Sequence, residues 1–217
     1  MKEVQLSLDQ VSSMRQIYEE MERGYEQVAA QLQFSCDGCP DNCCDSYFQH
    51  HTFVEWGYLW LGFRQLPETR QAEILERSRL YTTACEQALA WNERPQVMCP
   101  LNESGRCILY THRLMVCRTH GVPATMQRPD GKRLDFPGCF RCQELVKKRF
   151  VHESEVPRVD RTPLLRKLAM LENVLMGGKR HLYPRIKLTI AQMLVNGPPS
   201  VATPHCEREI GENKERK

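Results

Sequence analysis

Cysteine constrains this chain more than any other residue, because most of its cysteines stand in turns. The 217 residues hold eleven cysteines, at positions 36, 39, 43, 44, 85, 99, 107, 117, 139, 142 and 206. Cys36-Asp37-Gly38-Cys39-Pro40-Asp41-Asn42-Cys43-Cys44 crowds four thiols into nine residues, and Cys139-Phe140-Arg141-Cys142 forms a second C-x-x-C. Gly38, Pro40, Pro137 and Gly138 favour tight turns, and two thiolates so spaced in a turn converge on one metal. Buried core cysteines would follow helix or strand periodicity. These cluster in turn-rich stretches instead, with Cys99, Cys107 and Cys117 between the two knuckles.

A disulfide framework fits poorly. The start, Met1-Lys2-Glu3-Val4-Gln5, has no apolar core of a secretory signal, so a cytoplasmic, reducing setting is expected, where disulfides are disfavoured. The count is also odd. Metal ligation therefore becomes the expectation for Cys36, Cys39, Cys43, Cys44, Cys99, Cys107, Cys117, Cys139 and Cys142. Cys85 shares a helical stripe with Ile74, Tyr81 and Ala88 and reads as core. Cys206 falls in a polar tail and reads as a free thiol.

The ordered set Cys36-x-x-Cys39-x-x-x-Cys43-Cys44, Cys99-Pro100-Leu101, Gly105-Arg106-Cys107-Ile108-Leu109-Tyr110, Arg113-x-x-x-Cys117-Arg118 and Pro137-Gly138-Cys139 resembles the CxxCxxCC (YkgJ-type) cysteine-cluster family, described as a zinc- or iron-chelating domain. The resemblance spans about residues 34 to 142. It departs from the family pattern at the double cysteine, which three residues precede rather than two, and at Leu114, where the family has proline. The resemblance implies metal chelation and no settled reaction.

One tetrahedral zinc or one four-iron cluster takes four thiolates, so nine candidates offer two sites with a spare, or one site plus buried thiols. Adjacent Cys43 and Cys44 point different ways, so one metal would not use both equally. One grouping is expected: Cys36, Cys39 and one of Cys43 and Cys44, joined by Cys117 or Cys139. Cysteine selects both Zn2+ and iron–sulfur; the expected cofactor is an iron–sulfur cluster, 4Fe-4S in the first place, or Zn2+. Arg113, Arg118 and Arg141 flank the thiolates, and guanidinium groups there would offset negative charge and donate to sulfur. For Arg113 and Arg118 the family resemblance adds weight to a role in the site. Of the histidines, His50-His51 reads as a surface pair in a strand, His120 as the better candidate for a ligand or a neighbour of one, and His112 as less informative.

The fold class expected is α+β, mostly helical: a small loop-rich cysteine-cluster domain with a short hairpin, packed on long helices. Residues 1 to 33 form an amphipathic helix opened by the capping box Ser7-Leu8-Asp9-Gln10. Its stripe of Val11, Met14, Tyr18, Met21, Tyr25, Val28 and Leu32 alternates three- and four-residue steps, and its expected partner is a helix over 67–91. Residues 34 to 152 form the cysteine domain. There 47–54 reads as strand, 55–63 as a short helix, Arg128-Pro129-Asp130-Gly131 as a hairpin turn, and 142–152 as a helix. Residues 153 to 196 are a helical extension, with a linker to 162, a helix begun by Thr162-Pro163 and stopped by Gly177-Gly178, and a last helix opened by Pro184. Residues 197 to 217 read as a disordered tail.

Function follows the cysteines: a metal-binding protein in a redox, structural or metal-handling role. A metal-dependent enzyme is one alternative, although the chain shows no phosphate-binding glycine loop, no G-x-S-x-G, no H-E-x-x-H and no C-x-x-x-C-x-x-C. A nucleic-acid module is the other. Residues 141–190 carry 12 Lys and Arg against 5 Asp and Glu, but the whole chain is only +3 and no recognition motif accompanies the basic half. No apolar run is long enough for a membrane helix. The partner expected is a metal ion or cluster.

Overall fold

The computed structural model describes residues 2–36, 39 and 43–201. Cys206 and residues 202–217 of the expected tail lie outside them. The fold is α+β and mostly helical.

A two-residue strand, β1 (Lys2–Glu3), leads into α1 (Leu8–Leu32). The capping box forms in full: Gln10 N–H donates to Ser7 Oγ at 3.3 Å, and Ser7 N–H to Gln10 Oε1 at 2.8 Å. Gln33 ends the helix in the left-handed region (φ 51°), a conformation that closes many helices. The stripe buries Met14, Ile17, Tyr18, Met21, Val28, Ala29 and Leu32.

The next helices, α2 (Phe53–Phe63) and α3 (Glu68–Ala90), differ in kind. Nearly every residue of α2 is buried, as expected of a helix apolar on all sides. Thr52 caps it, and the buried carboxylate of Glu172 accepts from Phe53 N–H (3.0 Å) and Val54 N–H (2.8 Å). Anionic oxygens are favoured at a helix N-terminus. At Gly62 an added Cβ would meet the His112 ring at 2.4 Å, so the absent side chain admits that imidazole. Residues 47–54, expected as strand, make one isolated bridge, His50 to Leu188, and end in Phe53 and Val54 of α2; the Thr52 cap and its helix prevail over β-prone composition.

A tight hairpin follows, β2 (Asn102–Glu103) and β3 (Arg106–Cys107), turned by Ser104 and Gly105 at φ 50° and 83°. Then come α4 (Met115–Thr119), the expected hairpin β4 (Ala124–Gln127) and β5 (Arg133–Phe136), and α5 (Phe140–Arg149). The expected linker contains β6 (Val159–Asp160), which pairs parallel to β4, and within the linker Val156 and Val159 are buried. It is an edge of the three-stranded sheet because its apolar residues need that cover. Two helices remain, α6 (Thr162–Leu175) and α7 (Ile190–Val195), before β7 (Ser200–Val201) pairs with β1. The last helix starts at Ile190 rather than Pro184, capped by the Thr189–Gln192 box. Residues 197–201, assigned to the tail, belong to the fold: Gly197 C=O accepts from the Trp56 indole at 3.0 Å.

The expected pairing of α1 with α3 does not occur. The upper half of α1 packs on Val54 and Tyr58 of α2 and on Leu164, Leu168 and Leu171 of α6. Its lower half packs on Val122, Ala124, Val159 and Cys142. Helix α3 packs on α7 instead, where Tyr81 and Cys85 meet Ala191. The α1 stripe is covered by the α6 face of Leu164, Leu168 and Leu171. The main core gathers Phe53, Trp56, Leu59, Phe63, Ile74, Leu101, Leu109, Leu114, Ile190 and Met193.

Candidate metal centres

The chain brings its candidate cysteines together in two places. In the first, the Cys36–Cys39 turn is closed by Cys39 N–H donating to Cys36 C=O at 3.1 Å. Cys139 caps α5 without using its own side chain, and Cys142 lies in the first turn, fully buried against Leu32 and Val122. Cys139 N–H donates to Gly121 C=O at 2.9 Å, and an added Cβ at Gly138 would strike that same carbonyl at 2.5 Å. Burial raises the Cys139 thiol, and the fields of Cys36 and Cys39 raise it further. Cys142 is pushed up to about 12 by burial, then by Cys139 and Cys36. The Tyr25 hydroxyl stands 3.5 Å from Cys36 Sγ. Cys39 raises the Arg141 guanidinium most, and Cys139 and Cys36 raise it further. Cys36, Cys39, Cys139 and Cys142 are thus one neighbourhood, called here the outer group.

The second place is built on the β2–β3 hairpin. Cys99 N–H donates to Cys44 C=O at 2.9 Å, and Asn102 N–H to Cys99 C=O at 2.9 Å. Asn102 faces Cys107 across the hairpin. Cys117 comes from α4. Burial pushes Cys99 up to about 12, with Cys107 and Cys44 next to it. Cys107 is raised by burial and by Cys44, and Cys117 strongly by burial, then by Cys99, Cys107 and Cys44. Cys44, Cys99, Cys107 and Cys117 form the inner group. Cys43 donates to Cys44, which favours the Cys44 thiolate and disfavours that of Cys43. Asn102 and Arg113 also lower Cys44. Cys43 feels Cys36 as well as Cys117, so it lies between the groups.

The arginines divide by place. Arg113 is beside the inner group, where it acts on Cys44, Cys107 and Cys117. Its guanidinium stacks 3.9 Å from the Tyr110 ring centre. Arg113 Nε beside the inner group and Arg141 Nη1 beside the outer group are both buried without a hydrogen-bond partner, as is Nε of Arg77, which acts on Cys99. Arg118 is different. It donates to the carbonyls of Arg113 (2.8 Å), Thr111 (2.7 Å) and Tyr110 (3.3 Å), and stacks over Tyr18 at 4.2 Å. It shapes the loop that leads to Cys117, with its donors spent on backbone.

The histidines stand apart. His50 is not on the surface: it is 2% exposed, and neither ring nitrogen has a partner. His51 is exposed, with Nδ1 3.1 Å from Ile186 C=O. His112 packs on Tyr58, and His120 on Phe48. Sequence reasoning missed Tyr25, which it read only as part of the stripe, and Asn102, which the Ser104-Gly105 turn could have placed opposite Cys107. It also missed Glu55, which is 2% exposed and accepts from Met115 N–H (2.8 Å), Thr52 Oγ1 (2.8 Å) and Tyr18 OH (3.3 Å). Glu55 thereby fixes the first residue of α4, the helix that carries Cys117.

As the side chains stand, no three His, Cys, Asp or Glu among the described residues form a ready ion-binding constellation. The donor set nonetheless fits a metal. Each group supplies four thiols, the number a zinc ion or a four-iron cluster takes, and each has an unsatisfied guanidinium N–H that a thiolate would accept. No helix among the described residues is long and apolar enough to cross a membrane. No family model, no curated protein and no solved structure matches the chain.

Proposed function

We propose that this chain is a metal-binding protein with two thiolate centres, one on Cys36, Cys39, Cys139 and Cys142 and one on Cys44, Cys99, Cys107 and Cys117. The observation that supports this reading is the sorting of the candidate cysteines into two sets of four, each with an unsatisfied arginine donor beside it. Each centre holds Zn2+ or an iron–sulfur cluster, with 4Fe-4S the form that four thiolates suit. A four-thiolate zinc centre carries net charge −2, and Arg113 and Arg141 offset it and donate to sulfur. The unfolded chain has no preformed site, so the thiols close on the metal as the fold closes, and binding is coupled to folding. The role is structural, redox or metal handling in the cytoplasm.

The test is metal and acid-labile sulfide analysis of the chain purified without oxygen. Brown protein with iron and sulfide in equal amounts indicates clusters; colourless protein with two zinc per chain indicates zinc. Protein that is fully folded and metal-free whether purified with or without oxygen refutes the proposal.

A further inference from the structure

Helix α5 has one face that neither the core nor the thiols use. Cys142 is fully buried, and Leu145, Val146 and Phe150 pack on a satellite cluster around Leu32, Val122 and Ala124. Phe140, the first residue of the helix, is instead 68% exposed. At 3.6 residues per turn Glu144, Lys147 and Lys148 fall on the same side as Phe140, about 40°, 20° and 80° around the helix from it. All three are exposed. Lys147 and Lys148 make no ion pair or hydrogen bond among the described residues. The neighbouring arginines are engaged elsewhere, Arg149 with Leu32 C=O and Arg141 over the Phe34 ring. The turn that presents Phe140 is held from below: Gln143 Nε2 donates to Gly138 C=O at 2.9 Å, and Gly138 has φ 86°.

We infer that this face of α5 binds single-stranded nucleic acid, with a base stacked on Phe140 and backbone phosphates on Lys147 and Lys148. Seven residues of helix put Lys147 about 10.5 Å from Phe140 along the axis, so the strand runs along the helix. Every base offers a π-face to an aromatic side chain, and lysine meets phosphate as a point charge. Lysines at a helix C-terminus are favourable by themselves, but that does not account for a phenyl ring held open to solvent on the same side. An acidic peptide would satisfy the lysines and leave the ring bare. A helix that lies in a membrane surface carries a broad apolar face, whereas Leu145 and Val146 are turned inward here and the outward face of the helix has one ring.

The test is fluorescence anisotropy of the full chain, as purified, with a short labelled oligouridylate over a salt series. The parent binds the oligomer, more tightly as salt falls, and more tightly than a duplex of the same length, whose bases are already stacked. Phe140→Ala weakens binding by about 5- to 150-fold, and Phe140→Trp keeps it. Lys147→Gln combined with Lys148→Gln lowers the slope of log affinity against log salt by about 1.4, and Glu144→Gln tightens binding. A parent that ignores the oligomer at low salt overturns the proposal, as does a Phe140→Ala variant that binds like the parent. Equal binding to the duplex, to anionic phospholipid vesicles or to polyglutamate overturns it too. Should Phe140→Ala fail to fold by circular dichroism, the lysine pair and the duplex comparison still decide.

Discussion

Glu55 connects the helical core to the inner thiols, and removing it has a calculable cost. In Glu55→Ala the buried Tyr18 hydroxyl and the half-buried Met115 N–H and Thr52 hydroxyl lose their acceptor. The Glu55 N–H keeps its bond to Thr52, so the α2 cap survives. One buried and two half-buried groups left without their acceptor, the buried one at about 1–3 kcal/mol and the others at less, together with lost packing, place the cost at about 4 kcal/mol. Glu55→Gln retains a carbonyl for Met115 and lets the two hydroxyls rotate to accept, for about 1 kcal/mol. Urea unfolding followed by circular dichroism measures both. With a slope of about 2.5 kcal/mol per molar, the alanine variant's midpoint falls by about 1.6 M and the glutamine variant's by about 0.4 M. Metal content falls by up to half in the alanine variant, because the start of α4 is no longer fixed. Burial raises the Glu55 carboxyl above its ordinary value. The folded state therefore holds this proton more tightly than the unfolded one, and the stabilisation is complete at acid pH and lost as pH rises through the folded value. The gap between parent and Glu55→Gln accordingly narrows with rising pH. An alanine variant that unfolds within about 0.5 kcal/mol of the parent, or a glutamine variant equally impaired, refutes the capping role.

Further outcomes follow from other buried groups. Cys43→Ser keeps the full metal complement by elemental analysis, whereas Cys117→Ser loses the inner half of it. Burial lowers His50 from 6.5 to about 3, so its contribution is present above pH 6.5 and lost as pH falls toward 3, by up to about 4–5 kcal/mol; His50→Leu unfolds with a visibly flatter pH profile over that window, compared at equal metal content. Met21, with no exposure, lies between α1 and α6, and Met21→Asp lowers stability by several kcal/mol in thermal melts, whereas a melt like the parent's shows that this seam is not there.

The sequence made single elements legible where local chemistry decides them. Ser7 and Gln10 announce the start of α1, and Arg128 to Gly131 announces the β4–β5 turn, because each signal acts within a few residues. Two further signals of the same kind are present and outweigh the composition around them: Thr52 with Glu55, which begins α2 where β-prone residues suggest strand, and Thr189 with Gln192, which begins α7 well after Pro184. What covers a stripe is not local. The residues of α1 define an apolar face, but the choice of α6 over α3 depends on where the intervening chain returns. The thiols obey the same logic. Turns identify Cys36, Cys39, Cys139 and Cys142 as candidates. Their division from Cys44, Cys99, Cys107 and Cys117 depends on a hairpin of two-residue strands and on a five-residue helix held by a distant carboxylate.

The long return from α1 to α6 has a consequence for how the chain is made. A ribosome delivers Leu32 well before Leu171, and at roughly 5–20 residues per second the interval is roughly 7–28 s. Through that time Met14, Ile17 and Met21 have no α6 to cover them, and β1 has no β7. A nascent chain with this topology therefore keeps an apolar helix face exposed to association until α6 emerges. A ribosome stalled before residue 162 would display the α1 stripe uncovered, and premature stop codons in that region would yield fragments prone to aggregation rather than shorter working proteins.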